Sequence, residues 1–326
     1  MKNVRLLLVS LIVALGFGGS LSAAELKAKR AYNIAVIMKA ADVTLTAVAN
    51  AAVAEAKRLG CTATINTASA GTYTDIVSQA NAMEDAITKG VDAIFLNPAD
   101  TKGLNSAIVK ANKANIPVVL VSDSVDLVSL KAMGGHVETW TGLGFVVDGQ
   151  NMAKWVNKNV QPCKYVVIEG APGSSSSILR IQGWDEGIAK SFTKVASQTA
   201  NWDMDQAYTV MQNLVTANPD IKLVYAANSP MGLGALRALQ DANLTGKIKI
   251  VDMDAFPDDL PAIKAGTIVS TIRYRAADWG ISGMQLCIRA LNGEKLPAEV
   301  PLSSKVIDKT NVNTLTIDAK GNVVEK

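Results

Sequence analysis

Polar and aromatic residues able to hold a small molecule stand at the ends of short apolar runs in this sequence. The candidates are Asp42, Ser122, Asp123, Trp202, Asn228, Asp254 and Tyr274. A carboxylate or an amide can serve two neighbouring hydroxyl groups at once, and an aromatic face can cover the C–H surface of a ligand. Taken alone, each acid or amide has a structural alternative, because the same residue types cap helices and turns. Together they predict a site for a small polyhydroxylated molecule.

Residues for catalysis are sparse. His136 is the only histidine and lies in a glycine-rich stretch, so a Ser–His–Asp triad would depend on that position. The sequence has no G-x-S-x-G motif and no histidine or cysteine cluster with metal-ligand spacing. Asp252 and Asp254 could form a glycosidase pair, so an exported hydrolase stays an alternative that turnover of a bound sugar derivative would reveal. We predict a binding protein, not an enzyme, with no cofactor and no metal.

A glycine–serine run, Gly173–Ser177, opens a predicted helix. Backbone N–H groups at such a position can hold an anion. The sequence contains neither G-x-x-x-x-G-K-[ST] nor G-x-G-x-x-G, which makes a nucleotide ligand a weak hypothesis. We favour the simpler interpretation that Ser177 caps the helix.

Alternating strands and helices must position these candidates. Asn33–Met38 is a nearly all-apolar run, typical of a parallel strand covered on both faces. Asp42 can cap the helix that follows, which ends at Gly60. The alternation breaks at Met133–Gly144, interpreted as a linker, and then resumes. Such βαβ units build doubly wound parallel sheets, whose ligands bind outside the carboxyl ends of the strands.

The two series of strands and helices echo each other. LNPADTKGLNSAIVKANKANIPVVLVSD and ANSPMGLGALRALQDANLTGKIKIVDMD each place an Asn at a strand end, a Gly-Leu at a helix start and an Asp at the close. Chance matching of common α/β patterns is the alternative. At 326 residues, with 49% hydrophobic and 5% aromatic content, the chain is expected to form two similar α/β lobes.

The first residues predict an exported chain. Lys2 and Arg5 precede the apolar run Leu6–Leu15, and Ser22–Ala24 offers small residues for cleavage, so we expect residues 1–24 to be a signal peptide. The run is too short for a membrane span, which argues against stable membrane insertion. Two of the 32 basic residues would leave with it, and 30 against 29 acidic residues give no reason to expect a nucleic-acid partner.

The three cysteines leave their pairing open. Cys61, Cys163 and Cys287 cannot all pair within one chain, and none stands in a C-x-x-C spacing. We interpret them as small buried hydrophobic residues. A bridge between Cys61 and Cys287 is the alternative in an oxidising compartment.

Several segments resemble the ribose-binding-protein family of periplasmic sugar-binding proteins, across nearly the whole mature chain. They read GVDAIFLNPAD, ANIPVVLVSD, VMQNLVTANPD, ANSPMGLGALRAL, VDMDAFPD and NGEKLPAEVP. The resemblance implies the type I periplasmic binding protein fold, with two doubly wound, Rossmann-like parallel-sheet lobes joined by a three-crossover hinge. It places the N-terminal lobe at 25–139 with 275–302, and the C-terminal lobe at 140–274 with 303–326. No helix-turn-helix precedes Tyr32, which argues against the related lactose-repressor branch.

The same resemblance implies a function. It is that of a monomeric periplasmic solute-binding protein of an ABC importer, which closes on a small neutral sugar or polyol and presents it to a permease. The alternative is a sensory binding protein that presents its ligand to a chemoreceptor or a histidine kinase.

Some site residues carry over from the family directly. Asn228 and Asp254 match positions that hydrogen-bond sugar hydroxyls, and Trp202 falls where the family places a stacking aromatic. Asp42 stands on a family Asn and Tyr274 on a family Gln, so both stay polar candidates.

Other positions depart from the family pattern. Ser122-Asp123 replaces an Asp-Arg pair, and the family's paired aromatics are Thr44 and Leu45 here. Ile178 stands at the place of the ligand-binding Arg, whereas Arg180 matches a second Arg that need not touch ligand. These departures predict a cavity with one aromatic wall and three unpaired acids. Such acids would repel anions and demand hydroxyl donors, which favours a neutral or weakly cationic ligand.

Overall fold

The computed structural model describes residues 26–67, 73–142, 144–319 and 321–326. The predicted signal peptide at 1–24 lies outside these residues. The strands are β1 Asn33–Met38, β2 Thr62–Thr67, β3 Ala93–Leu96, β4 Val118–Ser122, β5 Thr139–Gly142, β6 Lys164–Glu169, β7 Thr193–Thr199, β8 Leu223–Ala226, β9 Lys249–Val251, β10 Ser270–Tyr274, β11 Ser304–Asp308, β12 Leu315–Ile317 and β13 Val323–Glu325. The helices are α1 Val43–Arg58, α2 Ile76–Thr88, α3 Asn105–Lys113, α4 Leu127–Ala132, α5 Phe145–Asn159, α6 Ser175–Gly187, α7 Met204–Ala217, α8 Ser229–Asp241, α9 Asp259–Ala265 and α10 Ala276–Leu291. A 3₁₀ turn, Val312–Thr314, precedes β12.

The first sheet is fully parallel, with the strand order β2–β1–β3–β4–β5. All residues of β3 and β4 are buried, as expected for apolar central strands covered by helices on both faces. The edge strand β2, with the sequence TATINT, is exposed or half-buried throughout. Its polar threonines tolerate water at the sheet edge.

The second sheet has the order β11–β10–β9–β8–β6–β7. Its pairs are parallel except β10–β11, which is antiparallel. The central strand β8 is fully buried, whereas the edge strand β7 carries Thr, Lys, Ser and Gln toward solvent.

The described chain passes between the sheets three times. After β5 ends at Gly142, helix α5 begins at Phe145 and packs on α6. After β10, helix α10 returns to pack on α1, β3 and β4. Val300 N then donates to Trp140 O and Leu302 N to Gly142 O before β11 joins the second sheet. We call the first sheet with α1–α4 and α10 the N-terminal lobe, and the second sheet with α5–α9 the C-terminal lobe. The predicted pair of doubly wound lobes joined by three crossovers is confirmed.

The first crossover comes later than the expected boundary between residues 139 and 140. Thr139–Gly142 lies in the glycine-rich stretch that was interpreted as a linker, yet it forms β5 and pairs with β4. Trp140 Nε1 also donates to Ser122 O at 2.9 Å. Thr and Trp favour extended structure, but this four-residue segment carries no apolar run that marks it as a strand, and pairing with β4 completes it.

An apolar cluster runs continuously through both lobes and holds them on one framework. In it the Trp184 ring stacks on Tyr225 with centroids 4.3 Å apart.

Cys61 and Cys287 are buried, Cys163 is half-buried, and all three thiols are free, so the alternative of a Cys61–Cys287 bridge is wrong. Within the described ranges, none of the helices combines the length and the apolar character needed to cross a membrane.

Candidate ligand-binding site

A cavity of about 50 Å³ lies between the carboxyl ends of the two sheets. The sequence-predicted residues that line it are Asp42, Ser122, Asp123, Trp202, Asn228 and Asp254. Other lining residues, which sequence reasoning did not assign to ligand contact, include Lys39, Tyr73, Phe145, Arg180, Phe256 and Trp279. The rule that ligands of parallel sheets bind at strand carboxyl ends therefore located the cavity, but it did not identify the cations.

Asp123, at the end of β4, is paired with a lysine. Lys39 follows β1, and its Nζ donates to Asp123 Oδ2 at 2.7 Å; the two side chains are 7% and 3% exposed. Asn97 Nδ2 donates to the same oxygen at 3.2 Å. Burial opposes ionisation of Asp123, but Lys39 and hydrogen bonds from Ser176 outweigh it and lower the pKa of the carboxyl. Asp123 is therefore an ionised, neutralised acid.

Asp254, which follows β9, is paired with Arg180 from α6. Arg180 Nη2 donates to Asp254 Oδ1 at 2.5 Å, and Nη1 donates to Ala227 O at 2.5 Å. Burial disfavours the charged guanidinium, yet Asp254 outweighs it and raises the pKa of Arg180. The guanidinium carbon lies 4.9 Å from the Phe145 ring centroid and 5.7 Å from that of Trp202, within cation–π range. Its Nε has no hydrogen-bond partner among the described residues.

Asp42 is the acid of the cavity that forms no ion pair with any residue the structure describes. Its Oδ1 accepts from Leu45 N at 2.7 Å, which caps α1, and its Oδ2 accepts from the Tyr73 hydroxyl at 2.8 Å. Burial raises the pKa of Asp42, and these hydrogen bonds only partly offset that effect. Burial therefore disfavours the charged form of this carboxyl more than it would that of an exposed aspartate.

The expectation of three unpaired acids and a single aromatic wall was wrong. Lys39 and Arg180 neutralise two of the acids, and the rings of Tyr73, Phe145 and Phe256 line the cavity with Trp202 and Trp279. The family's paired aromatics are absent at Thr44 and Leu45, but rings from other elements of the fold occupy the walls. Their positions depend on tertiary packing, which the sequence pattern alone does not reveal.

The structure places Ile178 outside the cavity, with 50% of its surface exposed. Helix α6 turns Ser176, Arg180 and Trp184 inward at a spacing of four residues, as one face of a helix requires. Ile178 lies two residues from both Ser176 and Arg180, so its side chain lies on the opposite side of the helix, toward solvent. The i, i+4 spacing of Ser176 and Arg180 was the signal that could have identified Arg180.

Tyr274 supports the cavity without being among its lining residues. It ends β10, is buried, and donates its hydroxyl to Asp148 Oδ2 at 3.1 Å. Its ring centroid lies 5.6 Å from the Arg180 guanidinium carbon, so it helps to hold that cation in place. Burial raises the pKa of the Tyr274 phenol, which keeps it a neutral hydrogen-bond donor.

Three site residues adopt a left-handed backbone, with φ of 65° at Ser122, 68° at Trp202 and 95° at Asp254. Residues other than glycine adopt this region at a cost and cluster there at functional sites. Asn228 has a structural role too, because its Oδ1 accepts from Met231 N at 2.9 Å and caps α8.

Two doubly wound lobes around a polar, aromatic-lined cavity define a two-lobed solute-binding protein. Residues 34–295 match the family model described as periplasmic binding protein domain. The ribose import binding protein RbsB of Salmonella typhimurium is 33% identical over 231 residues, which are 70% of this chain and 75% of that protein. The D-allose-binding periplasmic protein of Escherichia coli is 30% identical over 259 residues, 78% of this chain and 83% of that protein. The chain belongs to the ribose-binding family of periplasmic sugar-binding proteins.

Solved structures of ABC transporter solute-binding proteins share the fold. One from Actinobacillus succinogenes, with bound D-allose, has a TM-score of 0.79 and 26% identity, and the match covers 86% of this chain and 99% of that one. One from Agrobacterium vitis, with bound α-D-tagatopyranose, has a TM-score of 0.80 and 27% identity, and the match covers 86% of this chain and 96% of that one. One from Mycobacterium smegmatis, with bound glycerol, has a TM-score of 0.80 and 26% identity, and the match covers 89% of this chain and 99% of that one. The chain is thus a sugar-binding component of an ABC importer that works with a permease, and not an enzyme.

Proposed function

We propose that this protein captures a small uncharged sugar or polyol in the periplasm, as a monomer, and delivers it to the permease of its importer. The main support for an uncharged ligand is the balance of charge in the cavity. The Lys39–Asp123 pair belongs to the N-terminal lobe and the Arg180–Asp254 pair to the C-terminal lobe. Asp123 and Asp254 are each neutralised by a cation of their own lobe within hydrogen-bond distance.

A neutral ligand leaves both ion pairs intact. A charged ligand would compete for one partner and leave the other charge buried and unpaired, at a cost of about 3–5 kcal/mol. Hydroxyl groups avoid this cost, because each can donate to Asp42 or Asp254 and accept from Arg180 Nε.

The relatives support a monosaccharide or a polyol of similar size. Two of them are named for ribose and D-allose, and solved neighbours hold D-allose, α-D-tagatopyranose and glycerol. The five aromatic rings of the cavity suit the C–H faces of such molecules. We assign ligand contact to Asp42, Arg180, Trp202, Asn228 and Asp254.

Calorimetric titration tests the charge argument with matched ligand pairs. Ribose and allose are compared with their aldonates, which keep the hydroxyls and add one carboxylate; ribitol, xylitol and glycerol complete the panel. We expect binding of at least one neutral ligand, which at a hundredfold excess over its Kd would stabilise the fold by about 2.7 kcal/mol. Binding of aldonates alone would contradict the proposal. Light scattering of the same samples measures the molar mass and so tests whether the protein is a monomer. Fractionation of cells tests whether it is located in the periplasm.

A further inference from the structure

The carboxylate of Asp123 joins the two lobes directly. Its Oδ1 accepts hydrogen bonds from Ser174 Oγ at 3.3 Å, Ser175 Oγ at 3.1 Å and Ser176 N at 3.0 Å. These serines belong to the C-terminal lobe, where they lead into α6 and form its first turn. The residue at the start of the helix is Ser174, so the prediction that Ser177 caps it was wrong. The glycine–serine run of the sequence therefore holds an anion, and this anion is a side chain of the other lobe.

Neighbouring backbone atoms extend the contact. Ser124 N of the N-terminal lobe donates to Ser175 Oγ at 2.8 Å, and Thr101 N donates to Gly173 O at 3.1 Å. Gly173 has a φ of 81°, and a Cβ at this position would collide with the carboxylate of Asp100. Only glycine combines this conformation with so close an approach of the lobes.

Burial and charge make this contact between the lobes strong. Asp123 and the three serines are buried, and a carboxylate that accepts from an N–H at a helix start forms charge-assisted hydrogen bonds. Lys39 and Asn97, both of the N-terminal lobe, hold the other oxygen, so this part of the orientation of the carboxylate does not depend on the C-terminal lobe. Every donor and acceptor belongs to the chain itself.

We propose that Asp123, Ser124, Ser174, Ser175 and Ser176 form a latch that populates the closed conformation before ligand binds. Asp123 is then a positioning residue for closure. The latch would favour closure of the ligand-free protein whether or not the proposed function is right. Its effect on the capture of a ligand rests on the proposed function. A larger closed population lowers the apparent Kd in proportion, because the complete cavity exists only in the closed state.

Small-angle scattering of ligand-free protein tests the latch with matched serine variants. Ser175→Ala removes the hydroxyl that donates to Asp123 and accepts from Ser124 N, yet Ser175 does not line the cavity. Ser177→Ala is the control, since this buried serine has no hydrogen bond to the N-terminal lobe among the described residues. We expect Ser175→Ala to lower the closed-to-open ratio about tenfold, from the net worth of the two lost bonds, and Ser177→Ala to match wild type.

Amide hydrogen exchange of the ligand-free wild type gives a second measure that needs no substitution. The amides of Thr101 and Ser124 find their acceptors across the cleft, so they should be protected in the closed state. Ser175→Ala should abolish protection of Ser124. A fully open wild type, or equal scattering by wild type and Ser175→Ala, would overturn the latch. Both measurements omit ligand, so failure of every sugar to bind would leave their result unaffected.

Discussion

Replacing Asp254 with Asn should destabilise the protein through the cation it leaves behind. Asn keeps the shape of the side chain and tolerates the left-handed φ of 95°, so backbone strain changes little. The side chain of Arg180 is only 5% exposed and would lose its carboxylate partner. Removing one partner of a buried pair costs about 3–5 kcal/mol. We expect Asp254→Asn to lower the free energy of unfolding by an amount in this range.

A double-mutant cycle separates this effect from simple loss of contacts. Arg180→Met removes the cation and keeps an unbranched side chain of related length, and the double variant Arg180→Met with Asp254→Asn removes both charges. The double variant should be more stable than additivity predicts by about 1–3 kcal/mol. Urea unfolding of the four proteins, followed by tryptophan fluorescence, measures the difference.

A surface pair provides the control for the cycle. Lys164 Nζ lies 2.6 Å from Asp220 Oδ2, but these side chains are 50% and 58% exposed. The corresponding cycle at this pair should show no measurable coupling, because water and salt screen exposed charges. Additive effects at Arg180 and Asp254 would refute the reasoning, since they would mean that neither charge is left unpaired by loss of the other.

Three further predictions concern stability and affinity. Asn228→Ala should cost about 1 kcal/mol by removing the cap of α8, whereas Asn228→Ser should restore the urea midpoint but not ligand affinity in titrations, since it lacks the amide. Burial raises the pKa of Asp259 to about 7 and also raises that of the adjacent Asp252, so both bind protons more tightly when folded. The free energy of unfolding should therefore fall as pH rises from about 4 to 7, by about 1.4 kcal/mol per pH unit for each titrating group. Asp252→Asn should raise the urea midpoint at pH 7.5 and make the urea midpoint less dependent on pH. In titrations with a ligand found in the sugar panel, Trp202→Ala should weaken binding at least about tenfold, as loss of an aromatic contact in a closed cavity implies, and Ile178→Ala should leave it unchanged.

The alternation of apolar runs and capped helices was enough to predict both lobes. Runs such as Asn33–Met38 and Val118–Ser122 are buried on both faces, so their hydrophobicity reports directly on their place in a parallel sheet. The short strand Thr139–Gly142 was missed because no such run marks it. Its partner β4 lies 17 or more residues earlier in the chain, and only the folded sheet brings the two together.

The site was predictable where strand ends determine it, and not where helix orientation does. Asp123, Asn228 and Asp254 follow buried strands, so the topology alone brings them to one cleft. Arg180 reaches the same cleft from the second turn of α6, and an assignment by family register selected Ile178 instead. A shift of two residues on a helix turns a side chain by about 200°, enough to exchange the buried face for solvent.

Pairing of each acid within its own lobe has a consequence for closure. Lys39 and Asp123 stay together when the cleft opens, and so do Arg180 and Asp254, because neither pair spans the two lobes. Opening therefore exposes neutralised groups and does not separate buried opposite charges, which would cost several kcal/mol. The free energy that closes the cleft must come from contacts that do cross it. These include the serine hydrogen bonds to Asp123, those of Ser124 N and Thr101 N, and those made by the ligand. Closure driven by hydrogen bonds between shielded groups should depend little on salt, because few exposed charges change their separation.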